Sequence, residues 1–275
     1  MEKRKKIRID SGNSLNKLDF RELWEYRELF YFSIWRDVKS LYKQTVFGYT
    51  WAIIRPFFTM IVFSLVFGRL AKVPSDNIPY PIFSFAALVP WTYFSTSLVA
   101  SGNSLVSNVH IFTKVYFPRL IIPLTPVFGK LIDFLISFIF LFLMMLYYGI
   151  SPTINALYLP LLITLMVLTS AGCGMLLSAI GIQYRDVRHG MNFIVTLLMY
   201  AAPVVYPASL IPEKYRIFYG IFPMAGVIEG FRSCLLGSRP MPWDLIGMGT
   251  LTAITIFILG ALYFKRRERI FADVA

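Results

Sequence analysis

Histidine, cysteine and acidic residues are all scarce in this 275-residue chain, and each shortage excludes a class of chemistry. The two histidines, His110 and His189, sit on different polar stretches with no second His or Cys at ligand spacing, so no metal centre is expected. Cys173 and Cys234 lie among apolar neighbours on separate segments, and free packing thiols are the expectation. A phosphate-cradling Gly-x-x-x-x-Gly-Lys-Ser/Thr stretch is missing. Gly129-Lys130 has neither the earlier glycine nor the following hydroxyl, so the chain is not expected to hydrolyse nucleotide itself. No serine occupies a nucleophile elbow. Asp133 is the one acid inside a predicted span, while Asp76, Glu213, Glu229 and Asp244 are scattered over outer loops. Neither a carboxylate dyad nor a buried proton relay can be assembled from that set. No catalytic residue and no resident cofactor are expected.

What the chain does have is apolar length. It is 57% hydrophobic and 15% charged, with a mean hydropathy of +0.63. A soluble domain of this size has too little interior for so much apolar surface. Apolar runs of about 20 residues match the hydrocarbon thickness. The expected spans are Ala52–Leu70, Ile82–Ala100, Leu124–Tyr148, Leu157–Ile182, Phe193–Tyr206 and Leu245–Phe264. The fold class is all-α integral membrane, with six crossings and a re-entrant hairpin before the last; five or seven crossings are the alternatives. Residues 1–50 form a cytoplasmic N-terminus, 51–264 the transmembrane domain and 265–275 a basic cytoplasmic tail.

The net charge of +12 follows the topology rather than suggesting a nucleic-acid surface. Eleven Lys and Arg precede Thr50, and ten more fall on Arg55, on the loops around Lys114 and Arg185, on Lys130 and on the tail. Only six (Arg69, Lys72, Lys214, Arg216, Arg232 and Arg239) are left for the outside. This positive-inside bias places both termini in the cytoplasm, with the basic ends anchoring at anionic lipid or meeting an acidic partner. The charged first ~50 residues lack a short apolar core and cleavage site, so no cleavable signal is expected.

Local patterns sharpen the reading. Asp19 and Glu22 have a capping-box-like spacing, and from there Phe20, Leu23, Trp24, Tyr31, Ile34, Trp35, Val38 and Leu41 recur every three or four residues. They predict an amphipathic helix suited to the membrane interface. Pro90-Trp91 predicts a kink in the second span, and Pro56 falls early in the first, where a missing amide costs least. Lys130 and Asp133, three apart, either pair locally or sense a neighbouring helix. Ser170, Gly174 and Ser178, with Gly172 and Gly181 alongside, predict a close packing seam. Two half-helices broken at Phe222-Pro223 read as a re-entrant hairpin or as an external cap, with Glu229 and Arg232 a spaced pair at a candidate outer gate. Aromatics make up 17% of the chain. Tyr49, Trp51, Phe57, Phe58, Trp91, Tyr93, Tyr200 and Tyr206 either line a path on which sugar rings slide or form an ordinary interfacial belt.

Several segments resemble, in order, the permeases of polysaccharide-exporting type-2 ABC transporters of the O-antigen, teichoic acid and capsule kind. They are Arg36-Asp-Val-Lys39, residues 44–51 with Arg55-Pro56, the loop 112–119, Tyr184-Arg-Asp-Val187, Pro203-Val-Val-Tyr-Pro207, and Gly230-Phe-Arg232 with Leu235-Leu-Gly237. Phe222 departs from the asparagine common before that proline in the family. The resemblance implies an ATP-driven exporter of a lipid-linked glycan in the bacterial cytoplasmic membrane. It also implies a permease homodimer served by two separate ATPase subunits that bind the ATP and Mg. Residues 101–113 would include a coupling helix, and Asn108, His110, Phe112, Lys114, Arg185 and Asp186 would meet the ATPase. A small-lipid or drug exporter of the same type is the nearest alternative. An ion-coupled secondary transporter, with inverted repeats and midplane acids, is the alternative from a different class, and a membrane glycosyltransferase is a third.

Overall fold

The computed structural model describes residues 24–43, 45, 47–109, 117–268 and 271. Those residues form nine α-helices and no strand. They are α1 (Arg27–Tyr42), α2 (Trp51–Phe63), α3 (Tyr80–Ser107), α4 (Ile121–Tyr148), α5 (Leu159–Gly181), α6 (Arg185–Ala201), α7 (Glu213–Gly220), α8 (Pro223–Leu236) and α9 (Trp243–Arg267). With their short 3₁₀ and π extensions, five helical stretches are long and apolar enough to cross a bilayer: Gly48–Leu70, Tyr80–Ser107, Ile121–Tyr148, Ile154–Gly181 and Trp243–Arg267. The fifth expected crossing, Phe193–Tyr206, is not among them and is built differently. Its helix, α6, has 17 residues, begins eight positions earlier at Arg185, and stops at Ala201 before an irregular stretch with Pro203 and Pro207.

The α3 helix is the axis of the bundle. It packs on α2, α4, α5, α6 and α8. Its core includes Phe83, Phe85, Trp91, Tyr93 and Phe94, all 3% exposed or less. The helix runs through Pro90 without a break in its assignment. At the end carrying the C-terminus of α3, a second apolar cluster joins Leu105, Phe117, Leu120, Phe264 and Phe271.

In lipid the tails are as apolar as leucine, so close backbone approach supplies packing that hydrophobic burial cannot. The α5 helix uses small residues on two sides. Gly174 faces Ser101 of α3, and the Ser178 and Ser104 hydroxyls lie 3.4 Å apart. On its other side, a Cβ on Gly172 would sit 2.7 Å from the Phe257 backbone of α9, and one on Gly260 would collide with the Gly172 carbonyl. The expected seam is therefore two seams, back to back on one helix.

Pro56 is the sixth residue of α2, past its first turn, and a 3₁₀ turn over Gly48–Thr50 precedes the helix. A proline there has no N–H for the carbonyl four residues earlier, that of Ala52. The Ser137 hydroxyl of α4 donates to that carbonyl at 2.8 Å. The proline is thus tolerated because a neighbouring helix fills the gap it leaves. Lys43 follows α1, whose expected N-terminal cap at Asp19 lies outside the described residues. One side of α1 packs on α4, with Val38 buried beside Gly129 and Phe30 edge-on to Phe128 at 5.4 Å. Tyr31, Phe32 and Trp35 on the rest of it, and Trp24 just before it, are exposed among the described residues.

Candidate functional site

The irregular segment between α6 and the 3₁₀ turn Ala208–Leu210 is densely held by hydrogen bonds from other elements. Prolines at 203 and 207 cannot donate, and consecutive helix hydrogen bonds stop at Ala201, so six carbonyls need partners. Each has one. Tyr219 donates its hydroxyl to Ala201 at 2.9 Å, and the Val204 amide donates to Ala202 at 2.7 Å. The Arg232 guanidinium donates to Pro203 at 2.7 Å, to Val204 at 2.8 Å and to Tyr206 at 3.3 Å. Val205 accepts from the Tyr80 hydroxyl at 2.7 Å.

Arg232 can do this because α8 is buried along its whole length. Two glycines bring it close to its neighbours: a Cβ on Gly226 would lie 2.9 Å from the Leu245 backbone, and one on Gly230 2.8 Å from the Leu162 side chain. A fully buried guanidinium needs both a counter-charge and saturated donors. Glu229, one helical turn away, supplies the charge at 2.8 Å and also accepts the Ala208 amide at 3.1 Å. The Nε donates to the Phe83 carbonyl at 3.3 Å, and the guanidinium carbon stands 3.6 Å from the centre of the Phe83 ring. The structure thus brings together the spaced pair Glu229 and Arg232. Tyr80, Phe83 and Tyr219 complete the network, and no local spacing in the sequence points to them. The break at Phe222-Pro223 is present: α7 is largely exposed and α8 is buried.

A second constellation lies at the end of the bundle where α1 closes and α4 begins. Lys130 and Asp133 form the local pair at 2.9 Å, and the Tyr42 hydroxyl, from the last turn of α1, donates to the other Asp133 oxygen. The carboxylate therefore ties α1 to α4. Together with Trp51, Arg55 and Thr92 these residues border a cleft of about 250 Å³.

The residues expected to meet an ATPase are divided. His110, Phe112 and Lys114 lie outside the described residues. Asn108 follows the last turn of α3, donating to the Ser104 carbonyl at 2.9 Å and accepting from Arg36 of α1 at 3.2 Å. Arg36 also bonds Asp37 at 2.8 Å. Arg185 and Asp186 open α6 and are exposed. The aromatics expected along a path separate as well. Trp91 is packed against Phe94 and Phe222, and Tyr93 bonds the Val127 carbonyl at 3.0 Å, so both are interior residues of the bundle. Tyr49 and Trp51 gather near Tyr42 and Phe47 at one end of α2, where the Tyr42 and Tyr49 rings lie 4.0 Å apart, tilted by 31°. Phe57 packs on Phe140, and Phe58 is exposed further along α2. Tyr200 and Tyr206 lie beside Tyr219 at the far end of α6. Among the described residues no group of three or more His, Cys, Asp or Glu could hold a metal ion.

Comparison with known proteins gives this geometry a lineage. The chain is 27% identical over 252 residues to the O-antigen export system permease protein RfbA of Myxococcus xanthus, covering 90% of this chain and 96% of that one. The protein of the same name from Klebsiella pneumoniae is 27% identical over 240 residues, covering 87% and 92%. Polysialic acid transport protein KpsM of Escherichia coli is 25% identical over 244 residues, covering 85% and 91%. The profile of the ABC-2 type transporter family matches residues 28–236, a stretch that runs from α1 to the end of the buried α8 and contains both constellations. With several apolar helices of membrane length and that match across most of its sequence, this multi-pass membrane protein belongs to the ABC-2 type transporter family.

Proposed function

We propose that this chain is the permease subunit of an ATP-driven exporter that moves a lipid-linked polysaccharide across the bacterial cytoplasmic membrane. Two copies form the conduit, and two ATPase subunits, which bind ATP and Mg, drive it from the cytoplasm, where both termini lie. In this reading α6 with the irregular stretch after it makes the fifth of six crossings, and α7 and α8 form a re-entrant hairpin. The uncovered aromatics of α1 rest in the membrane interface. Glu229 and Arg232 hold the outer gate in register, and Tyr49, Trp51, Phe57, Phe58, Tyr200 and Tyr206 face the glycan.

The observation that carries the reading is the nearly full-length likeness to permeases named for O-antigen export and polysialic acid transport. The absence of a nucleotide-binding motif from the sequence agrees with ATP being used on another subunit. At the cytoplasmic end, the Arg36–Asn108 contact joins α1 to the end of α3, so a push on either would be felt by both. The test is a deletion strain complemented with this chain. Loss of surface glycan, with lipid-linked glycan accumulating inside, is the expected result. Intact surface glycan in the deletion strain overturns the proposal, and loss of drug resistance without loss of glycan would point to a small-molecule cargo instead. Purified permease alone should show no ATPase activity, and substitutions across 108–114 should lower export while leaving membrane insertion intact.

A further inference from the structure

The cleft bordered by Tyr42, Trp51, Arg55, Thr92, Lys130 and Asp133 has more cationic donors than acceptors. Lys130 uses one of its three N–H groups on Asp133, whose other oxygen is taken by Tyr42. Arg55 makes no ion pair among the described residues; its guanidinium lies 6.0 Å from the centre of the Trp51 ring. Two cations therefore share one small cleft with one carboxylate, in surroundings that include Phe134, Val89 and Leu41. Like charges beside low-dielectric walls repel strongly, and an anion placed between them removes that repulsion.

The depth of the cleft narrows the choice of anion. Lys130 is nine residues into α4, ~13 Å from its first residue at 1.5 Å per residue. A 28-residue helix is ~42 Å long, about 12 Å more than the hydrocarbon core, so Lys130 falls several Å below one headgroup layer. The positive-inside bias assigns that layer to the cytoplasmic leaflet. A free ion would have to shed its water to reach this depth, whereas a headgroup carried on a lipid tail is already there. Arg fits the oxygens of phosphate as a fork and Lys as a point charge, and Trp51 offers a flat face to whatever adjoins the phosphate.

We propose that this cleft binds the phosphate of an amphiphile drawn from the cytoplasmic leaflet, with Arg55 and Lys130 as its ligands. The inference deepens the proposed function and rests on it for one source of the phosphate, the carrier lipid of the glycan; the other source is bulk anionic phospholipid. Occupancy would compete with Asp133 for Lys130. Because Asp133 also holds Tyr42, an arriving headgroup would loosen the tie between α1 and α4.

The test uses the full chain in phosphatidylcholine nanodiscs, with bound hexadecyl phosphate counted by native mass spectrometry. Arg55→Gln should weaken binding at least tenfold. Lys130→Met combined with Asp133→Leu, which removes the whole local pair and leaves no unpaired buried charge, should do the same. Hexadecyl phosphate that resists excess phosphatidylglycerol identifies a phosphate monoester carrier as the occupant, and ready displacement identifies bulk anionic lipid. Undiminished binding by a folded variant overturns the proposal, as does inorganic phosphate binding as tightly as the alkyl ester. Glycan export measured in the same strains keeps the two ideas separate. Wild-type binding by Arg55→Gln removes the cleft site and leaves the export function standing, whereas a deletion strain with normal surface glycan removes the export function and leaves the binding result to be judged alone.

Discussion

The protein gathers charge in two places and treats it in opposite ways. Around Arg232 every guanidinium nitrogen has an acceptor: the group serves four backbone carbonyls and a carboxylate and lies against an aromatic face. Around Arg55 and Lys130 the donors outnumber the acceptors and the site is a cleft rather than a plug. Saturated polar networks give rigidity, while donors left over are available to a ligand. The first constellation is architecture, and the second has capacity to spare.

Breaking the saturated site should be the most damaging change. Arg232→Met strands Glu229 and three carbonyls inside the protein. Loss of one partner of a buried, hydrogen-bonded pair costs about 3–5 kcal/mol, so the variant should fail to accumulate or should lose its cooperative melt in detergent. Adding Glu229→Gln should restore only part of that loss, because the carbonyls of Pro203, Val204 and Tyr206 stay unpaired.

Next comes Gly260→Leu, which drives a side chain into the Gly172 carbonyl. The overpacking penalty is about 1–3 kcal/mol or more, visible as a lower melting temperature. Ser137→Ala should cost about 1–3 kcal/mol by orphaning the Ala52 carbonyl. In a Pro56→Ala background, where residue 56 regains its N–H, the same substitution should be nearly silent. A double-mutant cycle on melting midpoints checks this directly, and additive effects would refute the rescue by Ser137. The mildest change should be Arg55→Gln, within about 0.5 kcal/mol of wild type, since the side chain is exposed and makes no ion pair among the described residues. A large destabilisation there would erase the contrast between the two sites.

How far the sequence reaches is clear from these same residues. Long apolar runs announced the membrane-length helices, because period and length are local properties. The i, i+3 spacing of Lys130 with Asp133, and of Glu229 with Arg232, announced two ion pairs for the same reason. Tyr42 meeting Asp133 across 91 positions, Ser137 serving Ala52 across 85 and Tyr80 serving Val205 across 125 have no local signature. They exist because tertiary packing presents a hydroxyl where a carbonyl or carboxylate has lost its partner. The expected crossing Phe193–Tyr206 and the 17-residue α6 share only residues 193–201. Hydropathy does not register that Pro203 and Pro207 halt the helix, nor that Arg185 to His189 begin it. The aromatic tally failed to separate Trp91 and Tyr93 from the rest, because ring composition carries no direction and both turn inward.

One consequence follows from the backbone contact of Gly172 with Gly260. Two helices that touch carbonyl to Cα, with no side chain between them to flex or re-pack, cannot slide past each other by small increments. The fourth membrane-length helix and the last one are therefore built as a single strut, held by backbone rather than by side chains.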